Sequence, residues 1–435
     1  MASDSRLIST KTVIRLVLYS RARMCFMFVA LIGLLSGCGK TSDQQIVADA
    51  QTMQYLNDAR SAMEFGDVGM AIVFADSAIT REPALADAHF LKAQLMLRTK
   101  QMEEAQQAFL EVTQVNPDYP AAWFNLGNIA FMQQSFSEAL EHYEKEAAVL
   151  ARQKEKLGTS YSVRYAETMS QLSLQQGRAY RQLVQDEQAK EAFKNAIQYD
   201  STNADAYADL SKSLKDAGES REALAYAEKA LTLIPVHPDY NYLVGALKHE
   251  EGLAEDALPF LQTSIQVKPW SATARYSFGL ALVDVGQQEA GELQLRIADT
   301  LQVLDERIEK VRSTLQSTPN QANRWLQLGQ LLIQAGRIEE AVEPFTIASS
   351  LQPANFAIRS DIANLSLIRG DTLDAIRRLE SIIQLKPDYA DVWYNLGVIH
   401  ALQKRYPEAE KAWHETLKHA PDHPEARESL KKITS

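Results

Sequence analysis

The chain has 435 residues, 46% hydrophobic and 23% charged, a composition that suits a folded protein and excludes wholesale disorder. Only 18 glycines and 14 prolines argue against collagen, Gly-rich linkers and turn-dense β architectures. With 45 basic against 56 acidic residues the net charge is −11, which is a poor match to generic nucleic-acid binding.

Residues 1–37 read as an address rather than as part of a fold. Arg15, Arg21 and Arg23 precede an apolar run from Met24 to Leu35. That run is too short for a transmembrane helix, which needs about 20 residues, and it has the length of a secretory h-region. It ends in Leu35-Ser36-Gly37-Cys38, which resembles the lipobox of bacterial lipoproteins. The resemblance implies cleavage before Cys38, a lipid on its thiol and a membrane-tethered protein of the bacterial cell envelope. Gly39 stands where an Asp would imply inner-membrane retention, which points to the outer membrane, facing the periplasm. An uncleaved signal anchor and a chance cysteine are the alternative readings of the same residues. Cys25 and Cys38 are the only cysteines, so the chain beyond residue 38 has no thiol for a disulfide, a metal site or a nucleophile. Residues 1–37 hold five basic residues and one acidic, which leaves −15 on the remainder. Charge alone therefore does not draw it to an anionic membrane. A linker over 38–51 follows.

Beyond the linker the prolines mark a period. Pro83 and Pro117 are 34 residues apart, as are Pro235 and Pro269. Pro319, Pro353, Pro387 and Pro421 follow at the same spacing. Upstream of them an Ala recurs four residues before a large apolar residue, as in Ala105 and Phe109, Ala341 and Phe345, Ala409 and Trp413. Earlier still comes Trp-x-x-Leu-Gly, at Trp123-Leu126-Gly127, Trp325-Leu328-Gly329 and Trp393-Leu396-Gly397. Apolar spacing such as Trp325, Leu328, Leu331 and Leu332 predicts amphipathic helices. Small residues such as Gly329 and Ala341 fit where two helices cross closely. Each repeat-end proline predicts the stop of a helix.

These motifs resemble the tetratricopeptide repeat (TPR), a helix-turn-helix unit of 34 residues. Ten copies can be phased, at 52–85, 86–119, 120–153, 170–203, 204–237, 238–271, 272–305, 322–355, 356–389 and 390–423. The resemblance implies an all-α fold, a right-handed superhelical solenoid over 52–423 whose stacked repeats share one core. Residues 424–435 read as a polar C-terminal capping helix. The phase breaks twice, by sixteen residues each time, at about 154–169 and 306–321. Equal insertions four repeats apart suggest a block duplication, with coincidence as the plainer account. The first contains Gly158-Thr159-Ser160 and reads as helix, loop, helix. The second keeps helical spacing at Leu293, Ile297, Leu301, Leu304, Ile308 and Val311, which predicts one long helix overhanging the solenoid.

No catalytic motif stands in the sequence: there is no His-Glu-x-x-His, Gly-x-Ser-x-Gly, phosphate loop or Gly-x-Gly-x-x-Gly. No enzyme activity, cofactor, metal or nucleic-acid partner is expected. His414, His419 and His423 form the densest histidine group and read as solvated residues at a repeat end. Acidic pairs such as Glu103-Glu104 and Glu339-Glu340 open second helices, where they complement the helix dipole. Trp123, Trp325 and Trp393 read as core.

By the resemblance, positions 2, 5, 9 and 12 of each repeat point into a concave groove. The first three repeats then contribute Met53, Leu56, Phe90, Leu97, Phe124, Asn128 and Phe131, an apolar lining suited to an amphipathic helix or extended peptide. Repeats four and five contribute Arg178, Arg181, Lys212 and Lys215, a basic cluster in an acidic protein. Repeats six and seven contribute Tyr242, His249, Tyr276 and Leu280. Two readings of the cluster compete: it holds carboxylates of a partner polypeptide, or it pairs with Asp205, Asp209 and Asp216 and binds nothing. Asn364 and Asn395 suggest a carboxylate clamp, but Glu425 and Ser429 stand where its basic residues belong. The expected function is a lipid-anchored scaffold or adaptor of the cell envelope that binds protein or peptide partners. A regulatory or accessory subunit of an envelope enzyme, secretion or pilus-assembly system is the alternative, and homo-oligomerisation stays open.

Overall fold

A computed structural model describes residues 48–157 and 162–434; the segment carrying Cys38 lies outside them. Every regular element among the described residues is an α-helix. Contacts divide the chain into two compact units that meet in sequence at Ala217 and Gly218.

The first unit contains α1 (Ala50–Glu64), α2 (Val68–Arg81), α3 (Ala86–Arg98), α4 (Met102–Val115), α5 (Ala122–Met132), α6 (Phe136–Leu157), α7 (Ser162–Gln182), α8 (Asp186–Tyr199) and α9 (Ala204–Asp216). The second contains α10 (Ser220–Leu233), α11 (Pro238–Glu250), α12 (Ala254–Val267), α13 (Ala272–Asp284), α14 (Gln288–Ser317), α15 (Ala322–Gln334), α16 (Ile338–Leu351), α17 (Phe356–Ile368), α18 (Thr372–Leu385), α19 (Ala390–Leu402), α20 (Tyr406–His419) and α21 (Pro424–Thr434). Within each unit consecutive helices pack as hairpins, and each hairpin packs on the next. The helices fall in the register that the 34-residue period predicts, and α21 follows the tenth of these repeats.

The eighth repeat shows why the sequence folds this way. Helix α15 buries Leu328, Gly329, Leu331 and Leu332, and α16 buries Ala341, Phe345 and Ala348. These positions recur at helical spacing and face each other across the hairpin. A Cβ on Gly329 would lie 2.7 Å from the Phe345 ring, so only glycine permits the crossing. Gly127 stands in the same relation to Tyr143, and Gly397 to Trp413. The second helix stops two residues before its proline in repeats such as these, at Leu351 before Pro353 and Leu385 before Pro387. Proline's missing N–H and its restriction on the preceding residue account for the stop.

The insertions take two different forms. At the first, α6 and α7 are 22 and 21 residues long, and the loop expected at Gly158-Thr159-Ser160 lies outside the described residues. At the second, α14 is a single helix of 30 residues. It does not overhang, which corrects the sequence expectation. Its second half buries Leu304, Ile308, Val311 and Leu315 in one cluster with Leu328, Leu332 and Phe345 of the next hairpin. One helix thus serves two repeats, pairing with α13 through its first half and with α15 through its second. The apolar spacing that predicts the helix also supplies the buried face.

Candidate partner-binding site

The basic cluster assembles in the first unit on two neighbouring first helices, α7 and α9. At its centre is Asp209, only 3% exposed. Arg178 donates Nε–H to Asp209 Oδ2 at 2.7 Å, and Lys212 donates from Nζ to Oδ1 at 3.0 Å. Arg181 lies 3.8 Å from the same carboxylate, and Asp205 lies 3.8 Å from Arg178. Burial pushes the Asp209 carboxyl up, but Arg178, Lys212 and Arg181 outweigh it and hold it below its ordinary range. Lys215 is half-buried and engaged in an interaction of its own. Asp216 is exposed, and the ion pairs run to Asp205 and Asp209 instead.

One buried carboxylate therefore orders three cations. Their side chains keep 28–42% exposure, so part of each donor set still faces water. Arg181 also lies over the Phe193 ring, 6.0 Å from its centroid. A guanidinium fixed this way presents its remaining N–H groups in a defined direction, which suits a carboxylate ligand.

The apolar candidates of the first unit divide. Leu56 is 1% exposed and belongs to the core, which corrects its assignment to the groove. Phe90 packs edge-on against Phe109 and beside Tyr119. Phe124 lies against Tyr143, and Phe131 meets Phe136 edge-on. These three rings are half-buried. Asn128 Oδ1 accepts the Tyr143 hydroxyl at 2.8 Å. Met53 is 43% exposed. In the second unit Tyr242 is half-buried against Ala257 and Leu261, while Tyr276 is 51% exposed. His249 pairs with Asp284 at 2.7 Å.

His414, His419 and His423 each meet a carboxylate, at Glu410, Glu415 and Glu425. Among the described residues no group of His, Cys, Asp and Glu side chains is placed to hold a metal ion.

Two features escaped sequence reasoning. Glu146, 1% exposed on α6, accepts the backbone N–H groups of Ala121 and Phe124 at 2.8 and 3.2 Å and so caps α5. Burial pushes its carboxyl up to about 7 despite those bonds. The only sequence signal is a charge at a position that the helical period marks as buried. The second feature is a set of side chains that bond the repeat-end proline carbonyls. Trp123, Trp325 and Trp393 do so through the indole, at 2.9, 2.6 and 2.8 Å.

Residues 302–427 match the family model described as the TPR domain of cytochrome c-type biogenesis protein H. General tetratricopeptide-repeat models match 62–126, 102–153, 170–203 and 204–237. The chain belongs to the tetratricopeptide-repeat family. Domains of this family bind protein partners. Among curated relatives of this tetratricopeptide-repeat protein is Superkiller complex protein 3. The Homo sapiens protein is 22% identical over 352 residues, covering 78% of this chain and 18% of the relative. The Mus musculus protein is 22% identical over 375 residues, covering 83% and 20%. The chain thus spans about a fifth of the length of these relatives. Among solved structures, Pseudomonas aeruginosa PilF is 16% identical over 52% of this chain and 95% of its own, with a TM-score of 0.44. PilW, described as a type IV pilus biogenesis factor, is 18% identical over 52% and 98%, with a TM-score of 0.43. Likeness at that level carries no argument about function.

Proposed function

We propose that this tetratricopeptide-repeat protein is a lipid-anchored scaffold of the bacterial cell envelope that holds an acidic polypeptide segment against the cluster around Asp209. The observation that carries the reading is the ordering of Arg178, Arg181 and Lys212 by a single buried carboxylate, which leaves partly exposed donors in an acidic protein. Charge-assisted hydrogen bonds to partner carboxylates follow from that geometry. The anchor rests on the sequence Leu35-Ser36-Gly37-Cys38 with its basic and apolar leader, and the outer-membrane, periplasm-facing location rests on Gly39. The polypeptide is the ligand, and the scaffold works without catalysis or a cofactor.

The test uses the full chain in its native cell. Cross-linking, membrane extraction and mass spectrometry identify the co-purifying envelope proteins. Arg178 stays in place in the variant, because reversing it would leave two carboxylates facing each other in a buried site. Arg181→Gln, Lys212→Gln and Lys215→Gln together should lose the partner while helicity is kept. Full recovery of the partner by that variant would sink the assignment of the site. Cys38→Ser should abolish incorporation of labelled lipid; retained label would sink the anchor.

A second reading has one observation in its favour. The match of residues 302–427 to the TPR domain of a cytochrome c-type biogenesis protein supports an accessory component of a biogenesis system. In that case the partner recovered is a component of an assembly machinery, and it is held through the second unit.

A further inference from the structure

The turn between the two helices of a repeat changes character along the second unit. At position 13, the end of the first helix, repeats six to eight carry Glu250, Asp284 and Gln334. Repeats nine and ten carry Ile368 and Leu402, 53% and 68% exposed. At position 18, near the start of the second helix, repeats six to eight carry Glu255, Glu289 and Glu339, and repeat nine carries Leu373, 70% exposed. Tyr406 adds a ring that is 50% exposed at the start of α20. Helices α17 and α19 are neighbours, so equivalent turn positions of these two repeats lie side by side. Four large apolar side chains in water at one edge are unusual, because scattered single ones are the norm.

The cations at this edge differ from those elsewhere in the unit. Arg369 pairs with Glu339, Arg378 with Asp374 and Arg405 with Glu408. Arg377 donates to the Leu373 carbonyl at 3.4 Å and its charge also acts on the Asp374 carboxylate, but neither it nor Lys404 makes a close ion pair among the described residues. Arg377 stands one helical turn beyond Leu373, and Lys404 two residues beyond Leu402. Next to them, between α16, α17 and α18, is a cavity of about 300 Å³. Val342, Thr346, Ile362, Ser366, Arg369 and Arg378 line it. Arg369 follows Ile368 directly, so the apolar strip and the cavity join at the end of α17. Apolar, hydroxyl and guanidinium groups line the cavity together, and both guanidiniums are already paired, with Glu339 and Asp374.

We infer that the turn edge of repeats nine and ten is a second docking surface, whose occupant is an acidic amphipathic segment of a partner polypeptide. Its apolar residues cover Ile368, Leu373, Leu402 and Tyr406, and its carboxylates meet Arg377 and Lys404. Charge complementarity selects this occupant: exposed apolar groups beside Arg377 and Lys404, two cations that no carboxylate holds in a close ion pair among the described residues, in a strongly acidic chain. A membrane surface is the other occupant such an apolar edge could meet, and it is an outcome of the test. The inference is independent of the lipid anchor and of the Asp209 cluster.

The full chain in solution is titrated into a fluorescent helical peptide with leucines at every third and fourth position and glutamates between, and a parallel sample is mixed with lipid nanodiscs. A second peptide carries lysine in place of glutamate. The glutamate peptide should bind saturably and the lysine peptide should not. Leu373→Ser with Leu402→Ser should weaken binding by roughly tenfold or more, the loss expected of central apolar contacts. Arg377→Gln with Lys404→Gln should weaken it and flatten its salt dependence. Arg181→Gln with Lys212→Gln should leave it unchanged, which separates this surface from the proposed site of the first unit. Equal binding of both peptides, or binding indifferent to the four edge residues, would overturn the inference. So would hydrogen exchange at α17–α20 that follows the phosphatidylglycerol content of the disc while the peptide fails to bind.

Discussion

Trp325 donates its indole Nε1–H to the carbonyl oxygen of Pro319 at 2.6 Å, six residues upstream. The same reach joins Trp123 to Pro117 and Trp393 to Pro387, and other donors replace the indole at the same position: His89 to Pro83, Asn241 to Pro235, Arg275 to Pro269 and Arg427 to Pro421. The proline ends one repeat and the donor lies in the first turn of the next helix. The bond therefore fixes the angle at which one repeat hands over to the next, and it satisfies a carbonyl that the terminated helix leaves open.

Trp325→Phe keeps a smaller ring at that place and removes the donor together with part of the indole's packing. It should cost about 1–2 kcal/mol, from one hydrogen bond left unmade and the lost edge of the indole. Urea unfolding compared with wild type measures it. An unchanged midpoint would mean that water takes over the Pro319 carbonyl.

Gly329 touches Phe345 where the helices of the eighth hairpin cross. Gly329→Ala brings a methyl to 2.7 Å from the ring. Helix propensity favours the alanine by about 1 kcal/mol, but overpacking costs about 1–3 kcal/mol. The net change should be destabilising. Combining it with Phe345→Leu should recover part of the loss, because the clash is with the ring edge. A cost unaffected by the second substitution would place the strain in the backbone instead.

The hairpin register was legible because proline, glycine and the Ala-to-aromatic spacing each mark one physical event: a stop, a close crossing and a packed pair. The same logic located the long helix α14. It misjudged that helix as an overhang because apolar spacing shows that a face is buried and not what buries it. Leu304, Ile308, Val311 and Leu315 turn out to be covered by α15 and α16. The candidate site was half legible. Repeat position placed Arg178, Arg181, Lys212 and Lys215 on adjacent helices, but Asp209 as their common centre depends on its burial, which no local pattern encodes. The tryptophans show the same limit. Their hydrophobicity predicted packing, while the indole N–H had its own use at the proline.

Val184 has φ +58 in the turn between α7 and α8 and is 79% exposed. The equivalent turn residue in the eighth repeat is Gly336, at φ +77. A β-branched side chain is strained in this region by about 1–2 kcal/mol. Val184→Gly relieves that strain and loses no buried contact, while the freer unfolded chain offsets about 0.5–1 kcal/mol of the gain. The variant should melt slightly higher than wild type. A lower melting temperature would mean that Val184 makes a contact that its exposure conceals.

Glu146 sets a pH dependence. Burial lifts its carboxyl to about 7 in the folded chain, against an ordinary 4.5. Between those values the folded state holds a proton that the unfolded state has released, so stability falls as pH rises through the window. Glu146→Gln keeps an acceptor for the α5 backbone and removes the titration. Relative to wild type the variant should gain stability from about pH 5 to about pH 8, by at most about 3 kcal/mol. Hydrogen exchange of the α5 amides at the two pH values isolates this end of the molecule from Asp209, whose carboxyl is shifted the other way. A difference between variant and wild type that is the same at both pH values would show that the ionised carboxylate is already paid for by the Ala121 and Phe124 amides.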